Sequence, residues 1–363
     1  MKKLLFSIAF LGLIAANVAA QTNNTNPENE YSSENGTLSD FLSQVLREQQ
    51  ADEFQRTGAT VNFVNTMRDS FSGAQIGFIN TTTTNTRGAQ VGFVNTTGGI
   101  FSGAQVGFLN TIINDTRGAQ VGFVNTIRGN QNGGQVGFIN TTTRGVDGAQ
   151  IGFVNTTISN IDGAQIGFVN IARRLTGLQF GFVNFADEVE NGVPIGFLSI
   201  VRRGGFRAIE LSASEFHPVN VGFKIGVEQF YTIFSVGYNP FADSRSERFA
   251  TGIGVGTIVP INESFFFNPE IIGLTTIGRS NRNNDNGEDD KRIHNNRQLT
   301  SFVPFFGYNI TDRFSVAIAP TVTWSRASRN SDLLEPVASI AIFNIDDRNE
   351  IVVGARVSVR WRI

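Results

Sequence analysis

The sequence predicts an all-β protein: a parallel β-solenoid or β-roll of about ten 15-residue coils, followed by an antiparallel β-barrel, with one large β-barrel as the alternative. Three observations predict it. The block Gly-Ala-Gln-Ile-Gly-Phe-Ile-Asn begins at Gly73 and returns nearly unchanged at Gly88, Gly103, Gly118, Gly133, Gly148 and Gly163, with looser copies from Gly58, Gly177 and Gly192. Its spacing is 15 residues, apart from one step of 14 between Gly163 and Gly177. Beyond Phe206 the repeat fades and longer segments appear, of which Ile351–Ile363 alternates almost without fault between apolar and polar residues. Third, the 33 Phe and 39 Gly against only 9 Pro describe a chain of strands and tight turns.

From the N-terminus, residues 1–20 read as a secretory signal peptide. Lys2 and Lys3 precede an apolar stretch that is too short to span a bilayer comfortably, and small residues lead up to Gln21. Residues 21–36, rich in Asn, Thr, Ser and Glu, read as a disordered linker. Residues 37–56 read as an amphipathic helix, with Leu38, Phe41, Leu42, Val45 and Leu46 on one face. Such a helix suits the open first coil of a solenoid, which otherwise exposes a sheet edge and a bare core.

The repeats fill residues 57–205. Within one copy, Ala74, Ile76 and Phe78 point one way and Gln75, Gly77 and Ile79 the other. Apolarity assigns the Phe row, from Phe63 to Phe197, to the interior. It assigns the Gln row, from Gln75 to Gln179, to a stacking ladder on the outer face. The Asn row, from Asn65 to Asn184, reads as buried turn amides that hydrogen-bond from coil to coil. An antiparallel meander would alternate two kinds of turn. No such alternation occurs here, so a parallel stack with about 4.8 Å between coils is the simpler reading. Asn62, Pro194 and Ser199 depart from the repeat in its end copies, as terminal units do.

Residues 206–363 read as an antiparallel barrel of outer-membrane type. Eight strands are expected, over 219–227, 230–238, 249–259, 265–277, 299–308, 314–324, 337–343 and 351–363. In the last, Val353, Val357, Val359 and Trp361 form one face and Arg356, Ser358, Arg360 and Arg362 the other, which suits a lipid side and a polar lumen.

The repeat Gly-Ala-Gln-Val-Gly-Phe-Val-Asn resembles the G-x-Q-x-G-x-x-N units of bacterial surface-repeat proteins, and loosely the β-roll coils of trimeric adhesin heads. The stretch Phe230-Tyr231-Thr232-Ile233-Phe234 and the strands after it resemble the outer-membrane barrel domains that accompany such repeats. The resemblance implies a surface or outer-membrane protein and carries over no catalytic residue. It also implies a terminal Phe, where this chain has Ile363.

Composition narrows the function further. A net charge of -2 offers no basic field to nucleic acid. With no Cys there is no disulfide, thiolate metal site or catalytic thiol. His217 and His294 sit in separate loops without a Ser-His-Asp motif. Asp147 and Asp162 share a repeat position, but each forms an Asp-Gly turn dipeptide rather than a carboxylate pair. Asn281–Asp290 is rich in oxygen ligands yet lacks the order of a calcium loop, and reads as a solvated loop. The Thr row, from Thr66 to Thr156, reads as strand propensity and turn bonding.

The sequence therefore predicts no enzyme, no catalytic, cofactor-binding or metal residues, and no cofactor. It predicts an exported protein of the outer membrane or cell surface of a Gram-negative-type bacterium, or alternatively the periplasm. That protein would serve as a structural display or adhesion platform, with outer-membrane lipid around the barrel and surface glycans or ligands on neighbouring or host cells as candidate partners. The alternatives are a channel for small anionic solutes, with Arg356, Arg360 and Arg362 in its lumen, and a solenoid that binds or hydrolyses polysaccharide.

Overall fold

The computed structural model describes residues 56–242, 248–276, 297–327 and 333–363. The expected signal peptide, linker, acidic loop Asn281–Asp290 and His294 lie outside the described residues. So does the expected helix over 37–56, save Arg56, which begins a strand. The protein is all-β, a parallel β-solenoid of about ten turns plus a closed eight-strand antiparallel barrel. The described residues divide into two compact bodies, one ending at Gly137 and the other beginning at Phe138.

In the first body the early coils contribute two short strands each, such as Phe71–Ile76 and Ile79–Thr82, which stack in two parallel files that both continue onto the single strand Thr116–Ile127. The register is the sequence period itself. Gly58 lies over Gly73, then Gly88, Gly103 and Gly118, and Asn65 over Asn80, Asn95, Asn110 and Asn125. The first glycine of the block is required by its backbone. Gly103 has φ +143°, and a Cβ there would fall 1.8 Å from the Gly88 carbonyl oxygen of the coil before it.

The interior is polar, which corrects the inside–outside assignment made from apolarity. Gln75, Gln90, Gln105 and Gln120 are buried, whereas Phe78, Phe93, Phe108 and Phe123 are 44–45% exposed. Each buried Gln donates backward along the array: Gln90 Nε2 to Gln75 Oε1 at 2.6 Å, Gln105 to Gln90 at 2.6 Å, and Gln120 to Gln105 at 2.8 Å. The Asn ladder runs forward. Asn65 Nδ2 donates to Asn80 Oδ1, Asn80 to Asn95, and Asn95 to Asn110, each at 2.8 Å. Each Asn amide also donates to a carbonyl of the next coil, as Asn80 does to Val91 at 2.9 Å.

Gln75 is inside and Ile76 and Phe78 are outside, the reverse of the expected orientation, and the alternation then breaks between the strands of the coil, so that Asn80 is buried although it shares the parity of Phe78. A buried amide costs little when an identical amide above and below takes its donor and acceptor. With those amides inside, no ring fits beside them. A Cβ at Gly107 would already lie 2.1 Å from the Gly92 carbonyl oxygen and 2.5 Å from Asn95 Nδ2. The Phe rings stack outside instead, with centroids 4.9–5.1 Å apart from Phe63 to Phe123. Apolar core survives at two other positions of the coil, where Phe101, Ile112 and Ile127 pack together.

The second body begins with coils built in the same way. Its 14-residue step leaves both ladders intact: Asn170 donates to Asn184 at 2.9 Å and Gln179 to Gln165 at 2.8 Å. The missing residue therefore comes out of a turn. The atypical last coil terminates the Asn ladder. Asn184 donates to Ser199 Oγ at 3.3 Å, and that hydroxyl donates on to the Pro194 carbonyl at 3.0 Å.

The barrel comes next in the same body. Its staves are β1 (Phe206–Ala213), β2 (Val219–Val227), β3 (Phe230–Tyr238), β4 (Phe249–Gly256), β5 (Phe265–Thr276), β6 (Gln298–Asn309), β7 (Phe314–Arg326) and β8 (Asn349–Arg362). Each pairs antiparallel with the next, and β1 closes the ring on β8. One expected member differs. Phe206–Ala213 is a stave, whereas the segment expected over 337–343 forms only the short strand Ala341–Asp346, paired to the start of β8 beyond the reach of β1. Exposed along almost its whole length, that strand is a rim hairpin whose apolar residues mimic a stave.

The ladder geometry makes a quantitative contrast. Gln120→Ala removes one donor and one acceptor from a dry column and is expected to cost about 2–4 kcal/mol, the penalty for stranding two buried amide partners. Phe123→Ala on the outer face is expected to cost about 1 kcal/mol or less in detergent or buffer. Denaturant melts of the two variants check this, and a larger loss for Phe123→Ala would reverse the assignment.

Candidate interaction surfaces and the barrel interior

Strand β8 shows how the barrel sorts its residues. Val352, Arg356, Ser358 and Arg360 are buried inside while Val357, Val359 and Trp361 are exposed outside. The other staves follow the same period of two, so charge collects in the lumen and apolar side chains cover the outer wall.

Lys224 of β2 sits at the centre of the lumen. Its Nζ donates to Glu210 Oε2 of β1 at 2.5 Å and to the Glu270 carboxylate of β5. Arg360 grips Glu210 through Nε at 3.2 Å and Nη2 at 2.9 Å, and its Nη2 also donates to Asn268 Oδ1 at 2.6 Å. The Tyr231 hydroxyl donates to Glu270 at 2.6 Å and accepts from Asn268 at 2.5 Å. Two cations thus face two carboxylates, and aromatic rings wall them in. Lys224 lies 5.6 Å from the Phe305 ring centroid and Arg360 5.5 Å from that of Phe266. Higher in the barrel Arg356 donates to Ser212 Oγ at 2.9 Å, and Thr323 donates to Glu215 Oε1 at 2.6 Å. The connection 214–218 folds Glu215, Phe216 and His217 inward to fill that end.

His217 has the setting of a packed residue. Burial, and secondarily the Arg356 guanidinium, lower its pKa to about 4, so it is neutral at pH 7. Neither ring nitrogen has a hydrogen-bond partner among the described residues, so the structure shows no Ser-His-Asp relay at this site. Asp147 and Asp162 are exposed and lie within the strand Val146–Val189 rather than in the Asp-Gly turns expected of them. Arg362, expected to face the lumen with Arg356 and Arg360, instead reaches the rim and pairs with Glu228 at 2.7 Å. Among the described residues no group of three or more His, Cys, Asp or Glu could hold a metal ion.

The lumen charges Lys224, Glu210 and Glu270 escape a reading of the sequence. Their signal is present as lone charges inside otherwise apolar strands, such as Lys224 in Val-Gly-Phe-Lys-Ile-Gly-Val. The spacing of three different strands cannot show that such charges converge.

Two surfaces remain conspicuous. The outer wall of the barrel exposes large apolar side chains on every stave, including Ile209, Val221, Val236, Ile253, Ile271 and Ile318. Part of it forms an apolar depression of about 800 Å³ bounded by Leu211, Phe306, Val316 and Val357. The coils expose two apolar rows of their own. Ile76, Val91, Val106 and Val121 run beside the Phe row in the first body, and Val136, Ile151 and Ile166 continue the same repeat position along the chain. By contrast the turn edge of the last coils is charged, with Arg202–Asp187 at 3.0 Å and Arg203–Glu188 at 3.1 Å. No known protein family matches the chain, and no curated protein or solved structure is detectably similar to it.

The buried quartet predicts a sharp mutational response. Lys224→Met leaves two carboxylates facing a single guanidinium and is expected to cost about 3–5 kcal/mol. Unfolding in detergent, followed by circular dichroism, checks the figure, and a variant as stable as the parent would contradict the network.

Proposed function

We propose that this is an exported, non-enzymatic outer-membrane protein, in which the eight-strand barrel is a lipid anchor and the β-solenoid a rigid platform fixed to it. The observation that carries this reading is the apolar outer wall of the barrel, set around an interior that holds charged side chains beside an apolar cluster of Ile233, Ile272, Val303 and Phe305. Here the hidden side chains include Lys224, Glu210, Glu270 and Arg360, and the exposed ones include Val221, Ile253, Phe302 and Val357. An apolar surface of this extent far exceeds what a soluble monomer shows to water.

Aromatic residues add to the case. Trp361, Phe265 and Tyr308 lie outside near one rim, with Phe265 and Tyr308 5.0 Å apart. Trp324, Tyr238 and Phe249 lie near the other, with Tyr238 and Phe249 5.0 Å apart. From Phe314 to Trp324, strand β7 advances roughly 33 Å, which at a tilt near 40° spans about 25 Å, the height of an outer-membrane apolar band. The resemblance of the repeats to bacterial surface-repeat proteins supports the same location.

The packed lumen favours an anchor over a conduit. Small barrels of this strand number are filled by their side chains. Arg356 and Arg360 are neutralised or bonded in place rather than presented to a passing anion.

The purified full chain is expected to fractionate with outer membranes, to migrate faster on gels when unheated, and to leave planar bilayers electrically silent. A soluble periplasmic protein without heat-modifiability would refute the anchor, and steady anion-selective conductance steps would favour the channel.

A further inference from the structure

We infer that the exposed Val/Ile and Phe face of the coils in the second body, carrying Ile151, Phe153, Ile166 and Phe168, is a lipid-binding surface, laid against the acyl-chain boundary of the inner leaflet of the outer membrane. This rests on the reading of the barrel as a membrane anchor.

Within the second body the solenoid meets the barrel at β2 and β3. On these strands the outward positions near the meeting point are Ile225, Val227, Thr232 and Phe234. Ile225, Val227 and Thr232 are buried and Phe234 is half-buried, unlike the outward Val221 and Val236 further along the same strands. The last coil covers them. Val227 joins the solenoid core beside Val201, Thr232 donates to the Gly196 carbonyl at 3.0 Å, and Phe197 meets the Phe234 ring edge-on at 5.5 Å. The solenoid therefore ends on the outer wall of the barrel rather than on its mouth.

The order of these contacts gives the coil an orientation. Val227 lies at the β2–β3 turn, Thr232 above it, and Phe234 higher again along the strand. The Phe row thus faces the middle of the barrel's apolar band, and the core of the coil faces the rim. Phe197 stacks on Phe182 at 4.7 Å, and Phe182 on Phe168 at 4.9 Å. The exposed ring column is in this way continuous with the lipid-facing wall. A surface that prolongs a lipid-facing wall, at the same side of the apolar band, meets lipid too. The charged turn edge carrying Arg202 and Arg203 lies on another side of the coil and keeps its contact with water.

The connections set the side of the membrane. The solenoid joins at the end of the barrel where β1 begins and β8 ends, and where 228–229, 257–264 and 310–313 make the turns. The two connections longest in sequence join strand ends at the other end of the barrel, Thr276 to Gln298 and Arg326 to Asn349. Outer-membrane barrels keep their short turns in the periplasm and their long loops outside. The platform then lies under the membrane, with its polar edge turned to the periplasm instead of to neighbouring cells.

The test uses the full chain in phosphatidylcholine vesicles that contain lipids brominated along the acyl chain. Native Trp324 and Trp361 report on the barrel wall. In a Trp324→Phe, Trp361→Phe background, Phe153→Trp reports on the apolar face and Arg144→Trp on the polar turn edge. The expected result is at least twofold quenching of the native tryptophans and of Phe153→Trp, with little change for Arg144→Trp. Quenching of the native tryptophans but not of Phe153→Trp overturns the inference and leaves the anchor standing. Quenching of neither overturns both. Because the chain has no native cysteine, sidedness is read with an impermeant maleimide. Glu335→Cys should label in intact cells and Arg144→Cys only after the outer membrane is permeabilised. Labelling of Arg144→Cys in intact cells would place the solenoid outside and overturn the inference.

Discussion

A primary amide stacked on its own copy is fully satisfied, and the solenoid depends on that fact. Gln105 donates to Gln90 and accepts from Gln120, so a Gln with a neighbour on either side keeps both its donor and its acceptor in use without water, while the end members leave Gln75 Nε2 and Gln179 Oε1 without a partner among the described residues. The Asn file does the same in the opposite direction, from Asn95 to Asn110 and on to Asn125. The arrangement holds only if each Gln meets another Gln one coil away. That requirement explains a 15-residue period so strict that even its one shortened coil loses its residue from a turn. The ladders also tie down the register, since sliding one coil by a single residue would break every amide pair and bury the wrong face.

Once the amides occupy the interior, the apolar residues of the block have nowhere to go but outward. Coils and barrel thus both turn apolar side chains outward, and the two apolar surfaces of the second body join where Phe197 meets Phe234. Water would penalise both surfaces. A bilayer penalises neither, and it makes the internal pairing of Lys224 and Arg360 with Glu210 and Glu270 all the more necessary.

Much of this is legible in the residues. The repeat announces parallel coils, the Asn row announces a buried ladder, and the alternation of β8 announces which side of the barrel holds Arg356 and Arg360. The interior of the coil is not legible, because alternation separates two faces without saying which is inside, and apolarity gives the wrong answer when ladders of identical amides fill the interior. Gln75 is the available clue: a polar residue repeated at one position in coil after coil is what a ladder requires. The stave Phe206–Ala213 escapes the sequence for another reason. It is short and comes directly after the last coil, whereas the rim strand Ala341–Asp346 looks like a stave to any reading of pattern alone.

The most direct test of this account is hydrogen exchange at the glutamine side-chain amides, followed by NMR on full chain labelled with nitrogen-15 at Gln in lipid nanodiscs. Gln90, Gln105 and Gln120 should retain their side-chain protons for hours in deuterated buffer, while exposed Gln229 exchanges at once and serves as the internal reference. Exchange of the ladder amides as fast as that of Gln229 would mean that they face water, and the account of the solenoid core would be wrong.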